Sequence, residues 1–174
     1  MTTTFASGQE LTASGLNTAF SAEPQGILYR ARRATAESGI AATENGTLRL
    51  DGITATAGRA YRITTGVLSV ASTLNEAAQV TAFLRVDATG SAATTSSTVL
   101  AQGRIVTQAG TGAGSAVVEY HYFPSSTFTL SVLLTITRTA GSGTITAAGP
   151  DASIGPEIIV EDLGLAPSNT GTDV

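Results

Sequence analysis

The sequence predicts an all-β protein, an antiparallel and jelly-roll-like β-sandwich of about eight strands, preceded by a short N-terminal helix or arm. Short segments rich in Val, Ile, Leu, Thr and Tyr alternate apolar with polar side chains, which is the period of a half-buried strand. Glycine, often beside Asn, Asp or Pro, separates these segments at the spacing typical of a sandwich. The connections are too short for the crossover helices of a parallel sheet, so antiparallel pairing is expected.

The chain divides into three regions. Residues 1–26 are predicted to form an attachment arm with a short helix, residues 27–163 the sandwich, and residues 164–174 a polar tail. In "ELTASGLNTAF", Thr12 or Ser14 offers an N-cap. A helix this short is marginal alone, so we expect it to dock on a partner chain or on a particle. The residues predicted to make that contact are Leu11, Leu16, Asn17 and Phe20.

Eight or nine segments are predicted as strands. In chain order they are ILYRARR, GTLRLDG, RAYRITTGVLSV, QVTAFLRVD, STVLAQGRIVTQ, AVVEYHYF, TFTLSVLLTITRT, TITAAG and PEIIVEDLG. Gly66 is expected to mark a bulge or a break in its strand, and Gly103 to mark a bulge. The stretch GTGAGS is predicted as a flexible turn and DATGSAATTSS as a mobile exposed loop.

Composition limits what the protein can be. A chain of 174 residues can bury a full core without crosslinks, and its lack of Cys excludes disulfides and thiolate metal sites. The nine positive charges are all Arg, and the net charge of −4 argues against nucleic-acid binding. "MTTTFASGQE" lacks the features of a signal peptide, and the apolar run LSVLLTI is too short to span a membrane. The Ala- and Thr-rich, weakly charged composition fits packing against other subunits, or equally a GC-rich coding bias.

No catalytic, cofactor or metal site can be assembled from the residue pattern. His121 is the only histidine, and no Ser lies in a nucleophile elbow, so a Ser-His-Asp triad is not expected. A lone His in a strand among aromatic residues usually has a structural role. Glu161 and Asp162 are neighbours whose side chains would point to opposite faces, and we interpret them as solvated turn acids. Two metal sites stay open: His121 gathered from several copies on a symmetry axis, and calcium at a strand end. The chain is therefore predicted not to be an enzyme and to need no cofactor.

Arg30, Arg32 and Arg33 form the only local basic cluster. The favoured interpretation is cross-strand pairing with acids such as Glu44 or Asp51. The alternative is contact with a neighbouring subunit, because Arg is enriched at protein interfaces.

The aromatic segment "VEYHYF" has two interpretations. Core packing accounts for Tyr120 and Tyr122, since large aromatic side chains usually contribute to a core. Alternatively, Tyr120, His121 and Tyr122 form a surface that contacts a glycan, as in a carbohydrate-binding module.

Both ends of the chain resemble sequence segments found in phage proteins. "SGQELTASGLNTAF" resembles the opening of phage tail-fibre and other virion appendage proteins, and "IIVEDLGLAPSNTG" resembles the end of small structural proteins of actinobacteriophages. "LYRARRATAESGI", "LRLDGITATAGRAYRI" and "AATTSSTVL" share the style of that group. The resemblance implies a virion structural protein made in the host cytoplasm, whose partners are other virion proteins and itself, commonly as a homotrimer. A tail-fibre or minor tail component is expected first, and a capsid decoration protein or head fibre is the alternative.

Overall fold

The computed structural model describes residues 23–74, 77–109, 112–149 and 155–167. Within those ranges the chain forms twelve strands and no helix, and the arm predicted to contain a helix lies almost entirely outside them. All strand pairs are antiparallel. The strands are β1 (Gly26–Arg32), β2 (Glu37–Ile40), β3 (Asn45–Ala55), β4 (Arg59–Thr64), β5 (Leu68–Ser72), β6 (Gln79–Asp87), β7 (Thr98–Val106), β8 (Ala113–Ala116), β9 (Glu119–Tyr122), β10 (Phe128–Ala140), β11 (Ile145–Ala148) and β12 (Glu157–Leu165).

Hydrogen bonding divides the strands into three four-stranded sheets, of orders β1-β12-β4-β9, β2-β11-β5-β8 and β3-β10-β6-β7. The first two sheets have matching strand orders. Each strand of one sheet is the neighbour in the chain of the strand at the same position in the other sheet: β1 is followed by β2, β4 by β5, β8 by β9 and β11 by β12. They are therefore two halves of one layer, which we call the interrupted sheet. The four long strands β3, β10, β6 and β7 form the opposing layer, the continuous sheet.

Counting each interrupted strand once leaves eight strands, which confirms the predicted sandwich. Numbered along the chain, their order is 1-8-3-6 in one layer and 2-7-4-5 in the other, the strand order of a jelly roll. The interruption after β4 was predicted from Gly66. Its φ of 61° lies in the left-handed region, which glycine adopts readily. The prediction of a turn for GTGAGS was wrong in part, because its last residues belong to β8. Strand β12 also continues through Leu165, two residues into the expected tail.

The core lies between the two layers, and β1, β8 and β9 contribute only partly buried residues to it, such as Tyr29, Ala116 and Tyr122. In β6 every second residue is buried, which is the pattern expected for a strand with one face on the core. Strand β10 differs, because the eight consecutive residues from Leu130 to Thr137 are all buried. Its outer face is covered by the segments before β3 and before β7: the Thr137 hydroxyl donates to the Ala42 carbonyl, and the Ala93 amide donates to the Ser131 hydroxyl.

Gly103 was expected to mark a bulge, but the structure gives it another role. The irregularity between β6 and β7 lies beside Leu100, and Gly103 pairs regularly with Ala82. A Cβ on Gly103 would lie 2.7 Å from Cγ2 of Val118, in the opposing layer. The absence of a side chain at Gly103 therefore allows the layers to approach at the junction of β8 and β9.

We expect Gly103→Ala to lower the free energy of unfolding by about 1–3 kcal/mol, because its methyl group would overlap Val118. Urea denaturation measures the loss. The control is Gly46→Ala, whose Cβ would lie at an ordinary 3.6 Å from Leu133. Gly103→Ala combined with Val118→Ala should be less destabilised than the two single variants added together. Simple additivity would contradict the proposed overlap.

Candidate functional site

Strand β9 carries the three residues predicted to contact a glycan, and it places them on two faces. Tyr120 and Tyr122 share one face, with ring centroids 6.4 Å apart. Tyr122 also packs edge-on against Phe128 at 6.2 Å and adjoins the core. Burial raises the pKa of the Tyr122 phenol. Because His121 alternates with these tyrosines, no single strand face presents all three residues.

His121 lies on the outer face of the interrupted sheet. Its side chain is 53% exposed, and its Nε2 lies 3.7 Å from a carboxylate oxygen of Glu119. Arg62 is its direct partner across the β4–β9 ladder. His121 is thus a surface residue beside an acid and an arginine, while the neighbouring tyrosines face the other way.

Ion pairs cover the outer face of the interrupted sheet. Arg62 lies 2.5 Å from Glu161 and 3.9 Å from Glu119. Arg30 pairs with Glu157 at 2.6 Å across the β1–β12 ladder. Partly exposed pairs of this kind each contribute about 0–1 kcal/mol, so they define the charge pattern of the surface more than its stability.

The predicted cross-strand pairing of the basic cluster with acids is confirmed for Arg30, but its partner is neither of the acids expected, and the pair made by Arg33 is local in sequence. Arg30 pairs with Glu157, and Arg33 pairs with Glu37 four residues further along. The acids expected from the sequence are bound by arginines of the continuous sheet, Glu44 by Arg85 and Asp51 by Arg49.

Several exposed apolar residues lie at one end of the interrupted sheet, where β1 and β4 begin and β9 and β12 end. We call this group the apolar end patch; its members and exposures are Ile27 (59%), Phe123 (53%), Leu163 (37%) and Leu165 (50%). The register places them at the same end, since Gly26 pairs with Asp162 and Tyr61 pairs with both Asp162 and Tyr122. The described chain also begins and ends here, at residues 23 and 167. Sequence reasoning did not identify this patch, because only long-range pairing brings its members together.

A buried ion pair lies at the same end. Arg59 donates to both carboxylate oxygens of Asp162 at 2.7 and 2.8 Å, and the Asp162 side chain is only 1% exposed. Arg59 also donates to the carbonyl of Glu23 at 2.8 Å, and the Gly164 amide donates to Asp162. The interpretation of Asp162 as a solvated turn acid was therefore wrong. The expectation that Glu161 and Asp162 face opposite sides is confirmed, since they bind different arginines.

The cavity beside this ion pair is lined by residues that connect neighbouring strands. Its volume is about 330 Å³, and Tyr29 and Tyr61 are among its lining residues. The Tyr29 phenol oxygen accepts a hydrogen bond from the Thr54 amide in β3, and the Tyr61 phenol oxygen accepts one from the Thr56 amide just after β3. Since its aromatic and charged groups are bonded to one another or to the backbone, the arrangement fastens β1, β3 and β4 together.

A second charged cluster lies on the outer face of the continuous sheet. Arg85 donates to both oxygens of Glu44 at 2.6 and 2.8 Å and to the Ser97 carbonyl at 2.8 Å, and the Thr135 hydroxyl also donates to Glu44. Burial raises the pKa of Glu44, but the hydrogen bonds from Arg85 and Thr135 outweigh it and hold the pKa below its ordinary value of 4.5. The carboxylate form is thus favoured in the folded protein.

This lowered pKa predicts acid sensitivity. A carboxyl whose folded pKa is depressed stabilises the fold above its unfolded pKa, and that contribution is lost as the pH falls through the folded value. The free energy of unfolding should therefore decrease as the pH falls below about 4.5. Glu44→Gln should be less stable than wild type at neutral pH and should show a shallower decrease in acid. Urea denaturation at a series of pH values measures how steeply the free energy of unfolding depends on pH in wild type and in Glu44→Gln. Equal pH dependence of the two proteins would contradict this role of Glu44.

The structure describes no metal site or membrane-spanning helix. Across the described residues, no three His, Cys, Asp or Glu side chains are grouped so that they could hold a metal ion. The same part of the chain contains no helix long and apolar enough to cross a bilayer. The predicted arm contacts Leu11, Leu16, Asn17 and Phe20 lie outside the described residues.

Comparison with known proteins gives no family for this chain. No family model matches it, and no curated protein does. Among solved structures, it is similar to a chain in the structure of the infectious bursal disease virus Gx strain, with 14% sequence identity and a TM-score of 0.34. The match covers 84% of this chain and 39% of that one, so the chain spans about two fifths of this neighbour's length.

Proposed function

We propose that this protein is a non-enzymatic structural component of a phage virion. Its particular role in this proposal is that of a homotrimeric tail-fibre or minor tail component, attached through residues 1–26 and contacting the host surface with its loops. The observation that carries the proposal is the jelly-roll strand order together with the apolar end patch at the end where the described chain begins and ends.

The fold narrows the classes of function. Jelly rolls occur in viral capsid proteins, in lectins and in cupins, so the fold by itself admits several roles. His121 is the chain's only histidine, and the described residues group no three metal-ligating side chains, which disfavours a cupin-like metal site. The phage-like phrases at both ends of the sequence favour the virion among the remaining classes.

The apolar end patch favours assembly with other chains. Four large apolar side chains, each between 37% and 59% exposed, stand at one end of the sandwich. Several exposed apolar groups at the same end of a domain favour a protein contact there. Residues 23–26, the described part of the predicted arm, lie at this end, so in this proposal attachment and self-association involve the same part of the molecule.

Size-exclusion chromatography with light scattering tests self-association. We expect a mass three times the 17.5 kDa of the chain. Phe123→Glu, which introduces a charge into the patch, should shift the protein to the monomer. Leu74→Glu is the matched control, because Leu74 is 58% exposed but lies in the turn after β5. A wild-type monomer at micromolar concentration, or equal behaviour of the two variants, would contradict the proposal.

Electron microscopy with a labelled antibody tests the location. A tail-fibre or minor tail component should label phage tails, whereas label on the head would favour the alternative of a capsid decoration protein or head fibre. Deleting residues 1–20 should abolish incorporation into particles while circular dichroism still reports a folded β protein. Normal incorporation of the truncated chain would contradict the role given to the arm.

A further inference from the structure

The outer face of the continuous sheet carries a groove that none of the roles above uses. Its volume is about 460 Å³, within the range of about 300–1,000 Å³ found for ligand pockets. It is lined by Gln79, Thr81, Phe83, Gln102, Arg104 and Thr139. None of these described lining residues is acidic.

The register of β6 and β7 builds the floor of this groove from two adjacent cross-strand pairs. Phe83 lies directly opposite Gln102, and Thr81 lies directly opposite Arg104. Directly opposite residues share one face of a sheet, so an aromatic ring, an amide, a hydroxyl and a guanidinium are presented together. Their positions depend on strand backbone rather than on a loop, which favours a defined geometry.

The aromatic ring is supported from one side. The guanidinium carbon of Arg85 lies 5.2 Å from the centroid of the Phe83 ring, a cation–π contact. Arg85 is itself held by both oxygens of Glu44 and by the Ser97 carbonyl. This contact restrains the ring before any ligand arrives, and restraining a contact in advance lowers the entropic cost of binding.

Polar groups around the ring are available to a ligand. Arg104 donates to the Gln79 side-chain oxygen, and none of its ion pairs with a carboxylate falls among the described residues. A guanidinium has five N–H donors, so this one hydrogen bond leaves others for a ligand. Gln102 and Arg104 are exposed to solvent. Such a set offers donors and acceptors beside one apolar surface, which matches a sugar ring with its hydroxyl groups and its apolar C–H face.

We propose that this groove binds an oligosaccharide, and that Arg104 makes it prefer a sugar bearing a carboxylate. Arginine is suited to that preference because its planar guanidinium can bind both oxygens of a carboxylate. This glycan site differs from the β9 residues Tyr120, His121 and Tyr122, which lie on the interrupted sheet. It is also independent of the proposed assembly, since the groove is formed within a single chain.

Binding of the full-length chain to an array of neutral and uronic- or sialic-acid oligosaccharides tests the proposal. We expect binding to the carboxylated members of the array. Calorimetric titration with one bound oligosaccharide and with its carboxyl-reduced derivative then measures the two affinities. Phe83→Leu should weaken binding about tenfold through loss of the ring. Arg104→Gln should weaken binding of the carboxylated form about tenfold and leave the reduced form nearly unchanged.

Two further variants make the result decisive. Tyr120→Leu is the matched control, an exposed aromatic on the other sheet, and it should bind as wild type does. Thermal unfolding of each variant verifies that it is folded, and Gln102→Ala, at an exposed position, provides a second test should Phe83→Leu be unstable. Absence of binding to every array member, unchanged binding by the groove variants, or a loss confined to Tyr120→Leu would overturn the proposal. Equal affinity for the reduced and carboxylated forms would overturn the role of Arg104.

Discussion

Asp162→Asn is expected to lower the free energy of unfolding by about 3–5 kcal/mol, because it leaves the Arg59 guanidinium buried without its carboxylate. Both side chains are at least nine-tenths buried, and two hydrogen bonds of 2.7 and 2.8 Å join them. Urea denaturation with a constant slope would measure the loss. The preceding residue provides the control: Glu161→Gln breaks a surface pair with Arg62 and should cost about 1 kcal/mol or less.

A double replacement separates the charge from the shape of this site. Arg59→Met combined with Asp162→Leu removes both charges together, so neither is left buried without its partner. We expect the double variant to be more stable than either single variant, since apolar replacement of a whole buried pair is often neutral. Equal losses for Asp162→Asn and Glu161→Gln would mean that Asp162 is solvated, as the sequence alone had indicated.

The alternation of side chains explains why most strands were predictable. In β6, local sequence determines which residues are apolar, and a single buried face is all that the sandwich requires of them. Strand β10 departs from this pattern because both of its faces are buried: Ser131 and Thr135 are polar, yet they are only 3% and 0% exposed. Their burial depends on segments distant in sequence, Ser131 accepting the Ala93 amide and Thr135 donating to Glu44. No periodicity within β10 carries that information.

The same reasoning explains the outcome for the candidate sites. Alternation correctly separates Glu161 from Asp162, but the burial of Asp162 depends on Arg59, 103 residues away in the chain. The groove around Phe83 likewise needs the pairing of β6 with β7, which decides that Gln102 and not a neighbour faces the ring. Composition and spacing therefore predicted the sandwich, whereas the sites required the register between its strands.

Leu134→Ala should also have a large effect, lowering the free energy of unfolding by about 2–5 kcal/mol. Leu134 is fully buried at the middle of β10, directly between Leu48 of β3 and Leu84 of β6. Removing its side chain takes apolar contacts from the central strands and leaves a cavity that a rigid sheet can close only in part. Urea denaturation measures the loss, and Leu74→Ala, at a side chain 58% exposed, should change the stability by about 0.5 kcal/mol or less.

A conservative variant at the same position tests whether packing is the cause. Leu134→Met keeps nearly the same volume and should cost less than about 1.5 kcal/mol. If Leu134→Ala were no more destabilising than Leu74→Ala, then β10 would not lie at the centre of the core. In that case the two layers would not pack face to face over β10. The jelly-roll arrangement and the outer groove, which both depend on that packing, would then be wrong. A large loss for Ala with a small loss for Met is expected only if the two sheets pack tightly over this residue.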